Sequence, residues 1–504
     1  MSNQTQFTIS FLSKHTLPLL LEHPEVTELC IENCGEFQHL DFLQELPHLK
    51  SMKILNAPYL EDINGLFATP SLEKVQISNA PCIYGYAFED LIPCPQIREL
   101  HLENLRRMNT LKGLLQFPNL KSLTLLHQPP YKSLKPLTRL PKLRSLHTDA
   151  CLGESRLLDL KGCKKLTDLH FESFPVLKEN ASLNWKKLRL LRIDDLGANT
   201  SLNWLNACSE LEHLHLNNGL LIQTIQPLEV CKKLETLHLS DMPGIQHLDA
   251  LKDFAQLRYI RAKGLPALQS VKALSSLSNL EVLELPKNIR LERLPNLSGL
   301  DKLETLDLCG CSRLKDIEGL KGMKQLIILY LSNASELKDL SPLKTLPQLE
   351  ILFADGLSHS ADWNALASLT QMKFLELSNN PKIQSFALIQ HMTKLIHLAL
   401  SHTGISDLTG IEKAVDLEIL NLSNNAHLRS ISGIEQLPNL RKLNLSHCPL
   451  LKDISPTTQV PKLERVQIEG NTFSQHLKEL IEADSDFFPK LALRPEKNAR
   501  IYQD

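Results

Sequence analysis

The sequence has little of what marks several large classes of protein. Aromatic residues make up only 5% of its 504 residues, and 55 basic against 57 acidic side chains leave a formal net charge of −2. So small a charge argues against binding nucleic acids or membrane surfaces through bulk charge. No stretch approaches the roughly 18 uncharged apolar residues that a transmembrane helix needs. At 42% hydrophobic residues, the chain is nevertheless too apolar to be disordered as a whole.

The chain also lacks the short motifs of common catalytic sites. GxxxxGK[ST], HExxH, GxSxG and CxxC do not occur, and no GxGxxG follows a predicted strand. The eleven cysteines are scattered and odd in number, which favours free thiols in a reducing compartment. The N-terminus shows no secretory signal. We therefore expect a cytoplasmic, non-enzymatic protein with no catalytic residues, no cofactor and no resident metal. An effector translocated into a host cytosol is the alternative.

What the sequence has in abundance is a repeat. The motif LxxLxL, with conservative replacements, recurs twenty times between Val26 and Leu463, in steps of 23 residues with one step of 25 and two of 22. Alternating apolar residues predict a short strand in each copy. An Asn or Cys eight residues after the motif begins, such as Asn425 or Cys311, can satisfy backbone groups of neighbouring coils. Each repeat buries its apolar face only against its neighbours.

These residues resemble the leucine-rich repeat family, with the pattern LxxLxLxx(N/C)xxL. The segments Leu314–Leu320, Leu337–Leu343 and Ile405–Ile411 look like its short-repeat, internalin-like class. The resemblance covers most of the chain and implies an α/β leucine-rich repeat solenoid, a curved horseshoe or arc of about 20 repeats of 23 residues. In that family a parallel β-sheet forms the concave face, and 3₁₀ or short helical turns form the convex face. The resemblance also implies binding of a protein partner.

The limits of the repeat predict three segments. Residues 1–25 are predicted to form an N-terminal cap, and residues 26–470 the leucine-rich repeat domain. Residues 471–504 are predicted to form a C-terminal helical cap and tail, with an amphipathic helix over 473–483. The apolar side chains expected to cover the first coil are Phe11, Leu12, Leu17, Leu19 and Leu20.

One column of side chains is predicted to point outward from the concave sheet, because it lies between the second and third core positions of each copy. Five of its twenty members are His, against fewer than one expected from the composition. Imidazole and guanidinium groups fill its middle, and acidic and aromatic groups follow. With two residues from the flanking position, the predicted protein-binding site consists of His147, His170, Arg192, His215, His238, Tyr259, Arg261, Glu284, Asp307, Tyr330, Phe353, Phe374 and Glu376.

The aromatic part of this column is the expected anchor for a partner. Tyr330, Phe353 and Phe374, with Ile328 and Ile351, should form an exposed cluster of the kind that dominates protein interfaces. We expect a protein partner, no nucleic acid and no membrane, and a monomer outside the complex. A regulatory subunit or secreted effector that modulates a partner enzyme is an alternative that the sequence leaves open.

The histidines allow further interpretations. His213, His215 and His238 could bind a transition metal, which makes a metal- or small-ligand-binding solenoid the third alternative. Neighbouring imidazoles should also disfavour each other's protonation, while Glu172 and Asp194 oppose that effect, so the interface could be sensitive to pH. The plain interpretation, a polar residue tolerated on a strand, is equally compatible with the pattern.

Overall fold

The computed structural model describes residues 6–129, 131–149, 154–178, 183, 185–357, 361–471 and 491–492. The chain divides into two units, Met1–Met242 (unit 1) and Pro243–Asp504 (unit 2). The helix predicted over 473–483 lies outside the described residues, and the predicted boundaries at residues 25 and 470 stay predictions. Among the described residues, no helix has the length and apolar character needed to cross a membrane.

Unit 1 is built on a parallel sheet in which each strand pairs with the next along the chain. Its strands are β1 Gln6–Ile9, β2 Glu28–Ile31, β3 Ser51–Ile54, β4 Lys74–Ser78, β5 Glu99–Glu103, β6 Ser122–Leu126, β7 Ser145–Thr148, β8 Asp168–Phe171, β9 Leu190–Ile193, β10 His213–Asn217 and β11 Thr236–Ser240. Short helices make the return connections. The α-helices are α1 Leu17–Leu21, α2 Gly85–Glu89 and α3 Glu154–Asp159. The 3₁₀ helices are Asp41–Glu45, Asn64–Leu66, Lys112–Gln116, Lys135–Arg139, Leu160–Gly162, Asn203–Ala207 and Gln226–Val230.

Unit 2 repeats the arrangement with shorter strands and 3₁₀ helices. Its strands are β12 Tyr259–Lys263, β13 Val282–Glu284, β14 Thr305–Asp307, β15 Ile328–Tyr330, β16 Ile351–Phe353, β17 Phe374–Glu376, β18 His397–Ala399, β19 Ile419–Asn421, β20 Lys442–Asn444, β21 Arg465–Gln467 and β22 Leu491–Ala492. Its 3₁₀ helices are Asp249–Leu251, Lys272–Ser276, Glu318–Leu320, Ser341–Thr345, Trp363–Ser368, Phe386–Ile389, Ile411–Lys413, Ile434–Gln436 and Ser455–Gln459. The strand β22 pairs with β21 and was not predicted from the sequence.

The core follows the repeat motif. In the copy that begins at Leu417, the side chains of Leu417, Leu420 and Leu422 are at most 1% exposed. The opposite wall is equally buried and consists of Leu428, Ile431, Ile434 and Leu437. The predicted division of each coil into a strand side and a helical side, with apolar residues between them, is therefore confirmed. Each coil closes over its neighbour, which is why no single coil holds a core of its own.

The Asn and Cys of the turn connect neighbouring coils by hydrogen bonds. The side-chain amide of Asn288 donates to the carbonyl oxygens of Ala262 and Leu285, each at 2.8 Å. Its oxygen accepts from the backbone N–H of Leu265 at 2.9 Å. In the next coil, the thiol of Cys311 donates to the carbonyl oxygen of Leu285 at 3.2 Å. Backbone groups that face the core are thereby satisfied, as the spacing predicts.

The start of unit 1 differs in part from the prediction. Leu12 and Leu20 are fully buried, but Phe11 and Leu19 are 53% and 56% exposed, so the prediction that these two cover the first coil is wrong. Helix α1 is only five residues long and turns a single side chain, Leu20, into the core. The sheet is instead extended by β1, a strand that the sequence analysis did not predict.

Candidate functional site

The predicted column and its flanking position lie on the face of each sheet that points away from the core. In β16, Leu352 is buried, while Ile351 and Phe353 on either side of it are partly exposed. The same alternation holds in β15 and β17. Because side chains alternate between the two faces of a strand, the predicted column lies on the face opposite the core. We call this the sheet face.

In unit 1 the column forms a histidine row, which we define as His147, His170, Arg192, His215 and His238. The register of β7 to β11 places each of these residues directly beside the next. The imidazole rings of His147 and His170 stack, with centroids 3.7 Å apart and planes 8° apart. The rings of His215 and His238 lie 5.3 Å apart at 24°.

Carboxylates from the flanking position contact the side chains of the histidine row. Nε2 of His147 lies 2.7 Å from Oε1 of Glu172, and Nε2 of His170 lies 2.5 Å from Oδ2 of Asp194. The guanidinium of Arg192 donates from Nε to Oδ1 of Asp194 at 2.8 Å. The row is therefore a network of hydrogen bonds and ion pairs rather than an uncompensated basic band.

Burial lowers the pKa of His170 and of His215 more than repulsion between imidazoles does. Burial is the largest cause that lowers the pKa of His170, and the neighbouring His147 contributes less. Burial, followed by the charge of Arg192 and then that of His238, lowers the pKa of His215 to about 4. The mutual repulsion predicted from the sequence is present, but it is the smaller effect. Both imidazoles are neutral at pH 7.

At the start of unit 2, the predicted charged residues satisfy one another. The guanidinium of Arg261 is paired with the carboxylate of Glu284 on the next strand. Burial and then the charge of Glu284 raise the pKa of Tyr259 to about 12. Burial also raises the pKa of Asp307, which lies beside Glu284 in the register. These groups form a half-buried polar patch on the sheet face.

The aromatic residues of unit 2 form a continuous aromatic ladder, which we define as Tyr330, Phe353, Phe374 and His397. The ring centroids of Tyr330 and Phe353 are 4.8 Å apart, and those of Phe353 and Phe374 are also 4.8 Å apart. The imidazole of His397 stacks on Phe374 at 4.1 Å. Each of the four residues is neither fully buried nor fully exposed. The predicted cluster exists, but its rings are half-buried by one another rather than freely exposed.

His397 is the residue that the sequence analysis missed. It lies 23 residues after Phe374 and directly beside it in the register of β17 and β18. The repeat length alone is therefore a signal that could have identified it. Burial lowers the pKa of His397 to about 4, so at neutral pH its ring is uncharged and continues the apolar surface.

Carboxylates border the aromatic ladder. Glu376 lies beside Phe353 in the register and accepts a hydrogen bond from the backbone N–H of Ser378 at 3.0 Å. Burial and the nearby Asp355 raise its pKa. Asp307 lies beside Tyr330 on the other side. A ligand on the ladder would thus meet an apolar strip between acidic groups.

Comparison with known proteins identifies the fold. The family model "Leucine Rich repeats (2 copies)" matches residues 278–322 and 415–480. No curated protein sequence gives a significant match to this chain. The structure of TLR13 in its complex with ssRNA13 is similar to 96% of this chain and 90% of its own, at 17% identity and a TM-score of 0.51.

Two bacterial structures are similar as well. A leucine-rich repeat protein of Leptospira interrogans matches 97% of this chain and 99% of its own, at 19% identity and a TM-score of 0.48. The internalin InlF of Listeria monocytogenes matches 57% of this chain and 83% of its own, at 23% identity and a TM-score of 0.48. The family match to these two segments, the 23-residue repeat, the parallel strands and the 3₁₀ helices agree in showing that the chain has the leucine-rich repeat fold.

Proposed function

We propose that this chain is a non-enzymatic scaffold that binds a protein partner on its sheet face, with the aromatic ladder as the anchor. The observation that carries the proposal is the unbroken contact of four partly exposed rings from Tyr330 to His397. Leucine-rich repeat proteins place this sheet on their concave side, so the proposed surface is the concave face expected from the sequence.

The ladder has the physical properties of an interface anchor. Aromatic rings contribute large apolar area, and their removal from water on binding is favourable. Each ring is held by the next, and Ile328 and Ile351 lie beside each other on the flanking position. Side chains that are already ordered lose little conformational entropy when a partner arrives. Patterned aromatic rings on a sheet face are therefore more than tolerated surface residues.

The acidic border specifies the chemistry of the partner. Glu376 and Asp307 are half-buried carboxylates that burial has already destabilised in their charged forms. A cationic side chain placed against them would restore the lost solvation, and it could also lie over the faces of the neighbouring rings. We therefore propose a partner segment that combines apolar or aromatic residues with Lys or Arg.

The remaining predicted residues are proposed as secondary contacts. The histidine row lies on the sheet face of unit 1, and Tyr259, Arg261 and Glu284 lie on the sheet face of unit 2. Their charges are largely paired within the protein, so we expect them to affect specificity more than affinity. The cytoplasmic location expected from the sequence is part of the proposal, and cell fractionation followed by immunoblotting tests it.

Affinity capture from native lysate with mass spectrometry tests the anchor. The bait variant carries Tyr330→Ala, Phe353→Ala and Phe374→Ala. The matched control carries Tyr59→Ala, Phe67→Ala and Tyr86→Ala, three rings of unit 1 that are 49–59% exposed and lie outside the strands. The wild type and the control should capture the same partner, and the ladder variant should lose it while giving an unchanged circular dichroism spectrum.

Three further results distinguish the proposal from its alternatives. Equal capture by the ladder variant and the wild type contradicts the proposed anchor. If the captured partner is an enzyme and its activity changes when the purified chain is added, the result supports the regulatory-subunit or effector alternative. In that alternative, the same surface binds the enzyme and modulates its activity. A partner recovered only from nuclease-sensitive material contradicts direct protein binding.

A further inference from the structure

Three side chains of unit 1 bring metal-ligating atoms together at one point of the histidine row. One ring nitrogen of His147, one of His170 and a carboxylate oxygen of Glu172 all lie within 4.8 Å of one another. Oε1 of Glu172 is 2.7 Å from Nε2 of His147 and 4.0 Å from Nε2 of His170. We propose that these three residues bind a divalent transition-metal ion, for which Zn²⁺ is the reference.

The donor set fits such an ion. Imidazole nitrogen suits zinc, nickel, cobalt and copper, and a carboxylate is a common third ligand of zinc. Zinc bonds of about 2.0–2.1 Å place the ligand atoms of a tetrahedral site about 3.4 Å apart. The three atoms here lie within 4.8 Å of one another, so changes of about an ångström in each separation would bring them to the geometry of a zinc site.

The charge of the site suits a divalent ion. Imidazole binds a metal through the lone pair of an unprotonated ring nitrogen. Glu172 is a partly exposed carboxylate, and it supplies the negative charge that the divalent ion requires. The ion would take the place of the hydrogen bond that now joins the imidazole of His147 to Glu172.

The surroundings supply further support for the site. Asp194 lies 2.5 Å from His170 through Oδ2 and is held in place by Arg192. Because Asp194 contacts Nε2 of His170, the nitrogen that also faces Glu172, it would give up that contact to the ion and could itself become the fourth ligand. The stacked rings of His147 and His170 direct their lone pairs nearly in parallel. Binding therefore requires the two rings to tilt toward each other about their Cβ–Cγ bonds.

The structure places the site away from the histidines that the sequence singled out. Within the part of the chain that the structure describes, His213, His215 and His238 do not form a comparable group. Nδ1 of His213 is engaged with the hydroxyl of Thr236 at 2.8 Å. The decisive difference is the carboxylate, because Glu172 reaches both imidazoles beside it. The proposal concerns unit 1 alone and does not rest on the proposed protein partner.

Calorimetric titration of the metal-free full chain with Zn²⁺ tests the proposal. The ligand variants are His147→Asn, His170→Asn and Glu172→Gln, and His238→Asn is the matched control from the same row. Each ligand variant should bind Zn²⁺ at least about tenfold more weakly than the wild type, and the control should bind as the wild type does. Titration with Co²⁺ should give the visible absorption of a four-coordinate site without a thiolate charge-transfer band.

Each outcome decides the matter. Weaker binding by the three ligand variants and not by the control supports the site. The proposal is overturned if the wild type does not bind Zn²⁺, if the ligand variants bind as tightly as the wild type, or if Co²⁺ shows thiolate ligation. Glu172 is exposed, so we expect Glu172→Gln to leave the packing of the core unchanged. This variant therefore keeps the test valid if a histidine variant is unstable.

Discussion

The imidazole of His397 stacks on the phenyl ring of Phe374, with centroids 4.1 Å apart and planes 14° apart. This contact extends the aromatic ladder of unit 2 by one ring beyond the residues that the sequence indicated. Because burial keeps the imidazole neutral, the ladder has an apolar end at pH 7 and a potentially charged one in acid. The relationship makes His397 both a part of the proposed interface and a point at which pH can act on it.

The central ring of the ladder should be the most costly to remove. Phe353 contacts Tyr330 on one side and Phe374 on the other. We expect Phe353→Ala to weaken binding of the captured partner by about 2 kcal/mol or more, since truncation of an aromatic anchor removes its own contacts and disorders its neighbours. Calorimetry with the purified partner measures this. A loss no larger than that caused by Tyr59→Ala would contradict the central role of Phe353.

Acid should destabilise the chain through His397. Its folded pKa, about 4, lies below the ordinary value of 6.5, so the unfolded chain binds the proton first. The corresponding stability is complete above pH 6.5 and is lost as the pH falls toward 4. One pKa unit corresponds to about 1.4 kcal/mol, which gives a loss on the order of 2 kcal/mol at about pH 4.5. Urea unfolding should show that His397→Phe loses less free energy of unfolding than the wild type when the pH is lowered from about 6.5 to about 4.5. An identical loss in the variant and the wild type would refute this account.

Removal of a turn asparagine should destabilise unit 2 strongly. The amide of Asn425 donates to the carbonyl oxygens of Leu400 and Leu422 at 2.8 and 2.9 Å, and its oxygen accepts from the backbone N–H of Thr403 at 2.7 Å. Asn425→Ala removes these three buried hydrogen bonds and leaves the backbone N–H of Thr403 without an acceptor, while the two carbonyl oxygens keep the Thr403 hydroxyl and the Cys448 thiol as donors. We therefore expect a loss of about 2 kcal/mol or more. Asn439→Ala, at a partly exposed position where the side chain donates to the carbonyl oxygen of Val415 and accepts from Lys462, should cost less than about 1 kcal/mol because water can replace both partners. Chemical denaturation compares the two, and equal effects would show that burial of the amide is unimportant.

Two glycines of unit 2 differ in how much space surrounds them, so their substitution by Ala should have different effects on stability. A Cβ at Gly319 would lie 2.1 Å from the carbonyl oxygen of Pro295, whereas a Cβ at Gly299 would meet nothing within 4 Å. We expect Gly319→Ala to destabilise the protein by about 2 kcal/mol or more because backbone must move, and Gly299→Ala to be close to neutral. Thermal unfolding of the two variants measures the difference. Similar melting temperatures would mean that the 3₁₀ helix Glu318–Leu320 adjusts easily.

Much of the fold could be predicted from the sequence, because each repeat specifies its own strand, core positions and turn. Leu417, Leu420 and Leu422 follow the alternation of a strand, and the Asn of the turn follows at a constant distance, so a single coil already predicts its core and its hydrogen-bonding slot. The ends were less readable. Phe11 and Leu19 looked like core residues by hydrophobicity alone, but a helix of one turn presents too few inward positions to bury them.

The repeat, the strand positions, the outward column and the leucine-rich repeat fold could all be predicted from the order of the residues, because a constant step and a period of two are properties of that order. Which outward side chains act together became apparent in the folded protein. Contacts across neighbouring strands depend on side-chain rotation and on burial that no single repeat reveals. That is why Glu172, rather than another histidine, completes the group with His147 and His170. It is also why burial, rather than repulsion between imidazoles, dominates the protonation of His170.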